Sequence, residues 1–474
     1  MTASGTHTGP QAGPGDASDD LDVEEALALV RAPRNDRTGH TDQADRLKKA
    51  DHPDRSDRPD CSDRTDWTAP AHSHDHNTSW PEARETAARA ARRATKRPAA
   101  SVALADALGL VLAVPLDALS DLPSFDTSAM DGWAVAGPGP WRVRDGGVLA
   151  GHALPEPLTD GEAVRIATGA RVPTGVTAVL RSEHGRTGPQ DRLHATGETS
   201  HGQDIRPRGQ ECRRGDQLLP TGTLVTPAVL GLAAAAGYDT LAVVPRPRAE
   251  ILVLGDELLT EGLPHDGLIR DALGPMLAPW LRVLGAEVVA VRRLGDDAKA
   301  LRRAITSSRA DLIVTTGGTA GGPVDHVHPT LERIGAELLV DGVAVRPGHP
   351  MLLARTKADQ HLVGLPGNPL AAVSGLLTLA EPLLRALAAH PAPEPYRMPL
   401  REAVQGHAHD TRLVPVALRG EWAVPLHYSG PAMLRGIATA DALAVVPPGG
   451  AARGAGLELL DLPWDTAGIG VCFT

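Results

Sequence analysis

Three short apolar runs in the second half of the chain each end in a loop whose residues could bind an anion or a divalent cation. ILVL (251–254) runs into Gly255, Asp256 and Glu257. LIVT (312–315) runs into Thr316, Gly317, Gly318, Thr319, Ala320, Gly321 and Gly322, with Asp325 just beyond. LVGL (362–365) runs into Pro366, Gly367, Asn368 and Pro369, which open a helix. Glycines let backbone amides approach an anion without Cβ obstruction, and a helix start adds unpaired N–H donors and a favourable dipole. Asp256 and Asp325 are candidate ligands of Mg²⁺, which takes oxygen donors and commonly bridges to phosphates. Glycine and proline also make tight turns with no ligand at all, and that explains any single loop well. Three such loops at successive strand ends favour a phosphate site.

The elements that must position these loops follow from the apolar pattern. Continuously apolar strands alternating with helical stretches (279–285 and 370–387) predict a parallel sheet covered on both faces. Ligands of such sheets bind beyond the carboxyl ends of the strands. This α/β domain is assigned to 247–390. Upstream, 132–219 consists of short apolar runs punctuated by Gly and Pro, among them VRIATGARVP and TAVLRSE, which predicts an all-β module. It is placed at 126–204 as an inserted domain, with 96–125 and 205–246 forming an elongated linker domain around it; within that, 102–119 mixes helix and strand patterns. After Pro391 the short β pattern returns, through 442–446 and the turn 447–450, giving a small C-terminal β domain over 391–474.

Residues 1–95 have a different composition. The run DRLKKADHPDRSDRPDCSDRTD repeats Asp, Arg, Ser and Pro with almost no apolar spacing. It cannot bury enough surface to offset its ordering entropy, so the leader is expected to be disordered. Within it, 23–30 (VEEALALV) is apolar at helical spacing and suited to docking as an isolated helix, and 82–93 reads as helical behind Pro81. His72, His74 and His76 are better explained as part of a solvated linker than as a metal site.

A formal net charge of -11 over 474 residues argues against nucleic acid as the main partner, because duplex binding needs a basic face. It also requires that any site for a phosphate-bearing substrate be locally basic or built from backbone amides. Only five of the basic residues are lysines. No run resembles a membrane span of about 20 apolar residues, and no signal-peptide core is visible. Cys61, Cys212 and Cys472 form no CxxC pair, which argues against a disulfide frame or a zinc site. The simplest reading is a reduced, cytoplasmic compartment. An aromatic content of 3% means that the cores are built mainly from Leu, Val and Ala.

GGTAGGPVD (317–325), VRPGHP (345–350) and GLPGNP (364–369) occur in the order and spacing of the catalytic domain of the molybdopterin molybdenumtransferase family, that of MoeA and the gephyrin E domain. SFDTSAMDGWAV (124–135) resembles that family's most distinctive motif and RIATGARVP (165–173) its second. DIRPRGQE (204–211) and LIRDAL (268–273) supply two more. The resemblance covers the chain from about Leu104 onward, and it makes the central segment similar to molybdopterin-binding α/β domains.

The resemblance implies a transferase of molybdenum cofactor biosynthesis: Mg²⁺-dependent insertion of molybdate into adenylylated molybdopterin, with release of AMP. It implies that Asp131, Thr168, Asp256, Asp271 and Asp325 line a cleft shared between the subunits of a homodimer, with Mg²⁺ on Asp256 and Asp325. Glu211 joins the catalytic carboxylates. Arg165, Gly169, Gly317, Gly318, Thr319, Pro366, Gly367 and Asn368 join Thr168 in holding the pterin substrate. The loop of Arg346, Pro347, Gly348, His349 and Pro350 receives molybdate, with Arg412 helping. The adenylyltransferase and molybdoenzyme apoproteins are the further partners implied; nucleic acid and membrane are not.

The chain departs from the family pattern at related places. Arg346 and His349 stand where two lysines usually flank PG, and Ala320 and Ala371 where serines are usual. Pro431 and Ala432 interrupt a serine-rich SGPAMLR motif (429–435), Gln210 replaces a glutamate ahead of Glu211, and Leu273 replaces an asparagine. Arg keeps the charge of Lys but presents a planar fork, and a histidine is charged only part of the time near neutral pH. Together these changes point to weaker molybdate binding, a different oxyanion or a drifted activity. The leading expectation is an active molybdenumtransferase. A divergent or non-catalytic pterin-binding or scaffold protein is the alternative. A molybdopterin adenylyltransferase or nucleotide pyrophosphatase is disfavoured by SAMDGWA and RIATGARVP, which single-domain adenylyltransferases lack.

Overall fold

The computed structural model of the chain describes residues 78–93, 97–151, 155–320 and 325–462. The 23–30 segment, the three leader histidines, Cys61, Cys472, Gly321 and Gly322 lie outside the described residues.

The three apolar runs are strands of one six-stranded sheet, ordered Glu287–Leu294, Arg248–Leu254, Leu312–Thr316, Gln360–Leu365, Leu352–Lys357, Glu337–Asp341. The first four are parallel, as the apolar runs predict. The last two pairings are antiparallel, so Leu352–Lys357 alone runs against the others and the sheet is mixed. The connection is the reason: only residues 358–359 separate Leu352–Lys357 from Gln360–Leu365, and a two-residue turn joins only antiparallel neighbours. Both faces are covered. Ile251 and Val253 pack with Leu277, Leu281 and Leu376 of the helices on one side. Leu252 and Ile313 pack with Leu301, Ile305 and Leu331 on the other.

Two helices differ from expectation. The one placed at 279–285 spans Leu273–Val283 with Pro279 inside it, because the Asp271 carboxylate accepts the Gly274 amide at 2.8 Å and starts the helix earlier. The last helix runs from Pro369 to Leu387 with a π-helical stretch at Leu376–Ala380. Among the described residues it is the one helix long and apolar enough to cross a membrane, but 83% of its apolar window is buried in the core.

The leader boundary at 95 is overturned at its C-terminal end. Helix Trp80–Arg93 turns Trp80, Ala83, Ala87 and Ala91 into the main core, at the 3- and 4-residue spacing of one helical face. Trp80 Nε1 donates to Thr378 Oγ1 at 3.1 Å, Arg84 pairs with Glu381 at 3.6 Å, and Thr78–Ser79 pairs in parallel with Val343 and Ala344. The alanines allow close approach to the last helix, which is why an Ala- and Arg-rich segment belongs to a core.

The front half holds a six-stranded β module, ordered Gly185–Thr187, Arg192–Ala195, Trp141–Val148, Glu162–Ile166, Gly132–Val135, Ala178–Arg181. A three-stranded sheet of Ala100–Ala103, Thr240–Val244 and Val111–Leu112, with helix Pro227–Ala236, flanks it. The C-terminal sheet draws strands from three places: Thr78–Ser79, Val343–Arg346 and the segments beyond 396. Val343–Arg346, central in sequence, therefore pairs outside the central sheet, in parallel with Thr411–Arg419. Sequence-contiguous borders at 390 and 391 do not describe this sheet.

Candidate active site

The carboxyl ends of the strands Arg248–Leu254 and Leu312–Thr316 open onto a cavity of about 190 Å³. Gly255, Glu257, Asp296, Asp297, Gly317, Gly318, Asp325 and His326 line it. Gly317 and Gly318 adopt φ +76° and +68°, a left-handed pair that side chains resist, so the loop turns sharply and its backbone faces the cavity. The Gly317 amide donates to the Leu365 carbonyl at 2.8 Å, which ties this loop to the Pro366, Gly367, Asn368 turn.

The carboxylates are not equivalent. Asp325 lines the cavity and accepts the Val327 amide at 3.2 Å. Asp297 caps helix Ala298–Ser307, and the Lys299 and Ala300 amides hold its pKa below the usual carboxylate range. Asp256 accepts the Asp296 amide at 3.3 Å and packs against Gly295 at the cavity's edge, without lining it itself. Asp271 is buried, bound to Gly274 and ion-paired with Arg293 at 2.5 Å. Thr319 is also buried, its hydroxyl without a partner among the described residues, and it does not line the cavity. Among the described residues no group of three His, Cys, Asp or Glu is arranged to hold a metal ion.

A second group forms where the central and C-terminal domains meet. Strand pairing sets Arg346 beside Arg412. Arg346 Nε donates to the buried Asp410 at 2.7 Å, and Arg412 donates to the Gln405 carbonyl. His349 donates through Nδ1 to the Val343 carbonyl at 2.9 Å, which closes the Pro347, Gly348, Pro350 loop back on its own strand. Gly348 lies so near helix Pro369–Gly375 that a Cβ there would be 3.0 Å from the Ala371 carbonyl. The start of that helix is not open: Leu370 and Ala371 donate their amides to the Pro431 carbonyl at 2.9 and 3.2 Å.

A third group lies on the β module. Register places Gly132 opposite Ile166 and Trp133 opposite Arg165, so the two front motifs share one edge. Asp131 Oδ1 accepts the Thr168 amide at 2.7 Å, and Gly169 bonds back to Ser128 at 2.8 Å. The Arg165 guanidinium lies 3.9 Å over the Trp133 ring. Glu211 is exposed in the linker region, beside Cys212, whose burial raises its thiol pKa.

Known proteins place these groups in one family. The MoeA N-terminal region (domains I and II) matches residues 78–237, a probable molybdopterin binding domain 250–386, and the MoeA C-terminal region (domain IV) 397–462. A molybdopterin molybdenumtransferase 2 of Mycobacterium tuberculosis is 37% identical over 325 residues, 64% of this chain and 78% of the relative. The chain belongs to the MoeA family of molybdopterin molybdenumtransferases. A Staphylococcus aureus molybdopterin molybdenumtransferase is 30% identical over 315 residues, 64% of this chain and 74% of that one. A MoeA crystal structure from Pyrococcus horikoshii aligns at a TM-score of 0.68 and 25% identity over 82% of this chain and 99% of that one.

For this MoeA-family chain, sequence reasoning missed Asp296, Asp297 and His326 on the cavity wall and Asp410 in the second group; it named Glu257 only as a loop residue and Pro431 only as a departure from the family pattern. A signal existed for two of them: Asp296 and Asp297 follow Gly295 directly after a β-rich run, repeating the strand-then-glycine-then-acid pattern of Gly255 and Asp256.

Proposed function

We propose that this protein inserts molybdate into adenylylated molybdopterin with the help of Mg²⁺, releasing AMP, and that it works as a cytoplasmic homodimer. One observation carries the reading. Four loops that are far apart in sequence are tied together: Gly317 to Leu365, Gly348 against Ala371, and Pro431 onto Leu370 and Ala371. The phosphate-binding, oxyanion and C-terminal segments are thereby neighbours, as coupling of anhydride cleavage to metal insertion requires.

The donor set on the cavity suits Mg²⁺ held by one or two carboxylates and completed by substrate phosphates, because Glu257, Asp296 and Asp325 offer oxygens without forming a closed cage. When bound, the ion neutralises phosphate charge and polarises the scissile anhydride. Gly317 and Gly318 bring backbone into reach of the phosphates. Arg346 and Arg412 present N–H groups to the tetrahedral oxyanion. Asp131, Thr168 and Arg165 form a polar edge on the β module that a second subunit would offer to this cavity, completing the cleft. Supply of substrate by the adenylyltransferase and delivery to apo-molybdoenzymes belong to the same reading.

Molybdate-dependent AMP release from adenylylated molybdopterin by the purified protein with Mg²⁺ tests it. Release that ignores molybdate, or none at all, defeats the transferase reading. A second reading, a family member that binds pterin without turnover, is favoured by two facts: Arg346 is already paired with Asp410, and two amides of the helix start are occupied. Tight pterin binding with no AMP release is its signature.

A further inference from the structure

Asp410 stands among cations yet serves none of the roles assigned so far. It is 3% exposed, one residue ahead of the strand Thr411–Arg419, and that strand sets Arg412 beside Arg346. Its carboxylate accepts the Nε of Arg346 at 2.7 Å, leaving both Nη groups of a side chain that is 43% exposed. Its backbone amide and that of His409 both point at Nδ1 of His407, at 3.1 and 3.3 Å, and that nitrogen lies 3.3 Å from the carboxylate itself. The aspartate is thus buried between one guanidinium edge and the His407 ring.

We propose that Asp410 is a positioning residue that turns Arg346 from a free cation into an oriented pair of N–H donors and so sets how strongly the site grips its oxyanion. The inference rests on the reading of Arg346 and Arg412 as the molybdate site. Two arginines less one aspartate leave a formal charge of +1 at a site for a dianion. A guanidinium held through Nε is restrained about its stem, so its Nη groups favour one direction, and geometry adds to charge in recognition. Such a site discriminates among oxyanions by shape and size while binding them loosely. A protein that must pass its oxyanion to another ligand needs loose binding, because a deep charge trap would retain it.

Calorimetric titration of the full chain with molybdate, and separately with sulfate, tests this. Asp410→Asn keeps an acceptor for Nε and removes the charge; molybdate should bind about tenfold more tightly, with a steeper salt dependence. Asp410→Ala also removes the hold on the guanidinium; the preference for molybdate over sulfate should narrow relative to the asparagine variant, and this variant supplies the charge test should the amide not fold. Both follow only if the melting temperature stays near that of the parent protein. Unchanged or weaker molybdate binding in folded Asp410→Asn, with the oxyanion preference intact in Asp410→Ala, would make Asp410 a strut between two strands and overturn the proposal. Arg346→Ala separates this from the underlying reading: if it binds molybdate like the parent, the oxyanion site itself is misassigned, whatever Asp410 does.

Discussion

The backbone carbonyl of Pro431 accepts the amides of both Leu370 and Ala371, at 2.9 and 3.2 Å. A helix start that the sequence offers to an anion is therefore closed by a loop of the C-terminal domain. On the proposed reading, anion binding then falls to the glycine loop and the arginines. Amide exchange checks this directly. Leu370 and Ala371 should already exchange slowly in the ligand-free protein and gain little protection when substrate is added, whereas Gly317 and Gly318 should gain it. Fast exchange at Leu370 that slows on ligand binding would restore the helix start as the anion site.

Gly132 is fixed by its neighbour strand and not by a turn. A Cβ there would lie 2.0 Å from the Leu180 carbonyl, a backbone atom that cannot move without breaking the Gly132–Val135 pairing with Ala178–Arg181. Gly132→Ala should cost about 3 kcal/mol, in the range of overpacked cores, read as a lower denaturation midpoint. Loss below about 1 kcal/mol would show that the strand relaxes readily.

Asp131 precedes that glycine and is exposed, with one carboxylate oxygen on the Thr168 amide. Asp131→Asn preserves an acceptor for this bond, so folding should be retained while AMP release falls by about 100-fold or more, as for loss of a charge aimed at the reacting group. Retention of most activity would reduce Asp131 to a connector between the two front motifs.

How far these arrangements could be read in advance depends on sequence distance. The turn at Gly317 and Gly318 was legible because a continuous apolar strand followed by glycines has few other meanings. The bond between Asp131 and Thr168 was legible only as two motifs of related type; the register that joins them is a property of the folded sheet. The pair of Arg346 and Asp410 was not legible, because it depends on a strand leaving the central domain to join the C-terminal sheet. Asp296 and Asp297 were passed over because the strand before them, Glu287–Leu294, is an edge strand with charges among its valines and lacks the continuous apolar run of its buried neighbours.

His361 sits in the central strand Gln360–Leu365 at 1% exposure, and among the described residues neither ring nitrogen has a hydrogen-bond partner. Burial, helped by nearby Arg355, pushes its pKa below the ordinary imidazole value. Above about pH 6.5 the imidazole is neutral in both the folded and unfolded chain, so its ionisation costs nothing. Below that, the unfolded chain takes up a proton that the folded one refuses, and stability falls as pH drops toward the depressed folded pKa. The melting temperature should therefore decline from about pH 6.5 downward, and His361→Leu should flatten that decline. Parallel pH profiles for the two proteins would assign the acid sensitivity to other groups.

The last prediction concerns where the folded body begins. Composition alone marks residues 1–95 as dispensable, yet Ala83 and Ala87 are fully buried and Trp80 is 5% exposed. Removing residues 1–95 would strip one wall from the core around the last helix, along with the Thr378 and Glu381 partners and an edge strand of the C-terminal sheet. The single change Trp80→Ala should already cost about 3–5 kcal/mol, as emptying a buried indole site usually does. Full deletion exceeds what a protein with roughly 5–15 kcal/mol of total stability can tolerate, so the shortened chain should lose its cooperative melting transition or fail to accumulate in soluble form. Circular dichroism melts of the Trp80→Ala protein and of the chain starting at residue 96 decide the matter. A chain from 96 that melts like the full protein would mean that helix Trp80–Arg93 only rests on the core and contributes nothing to it.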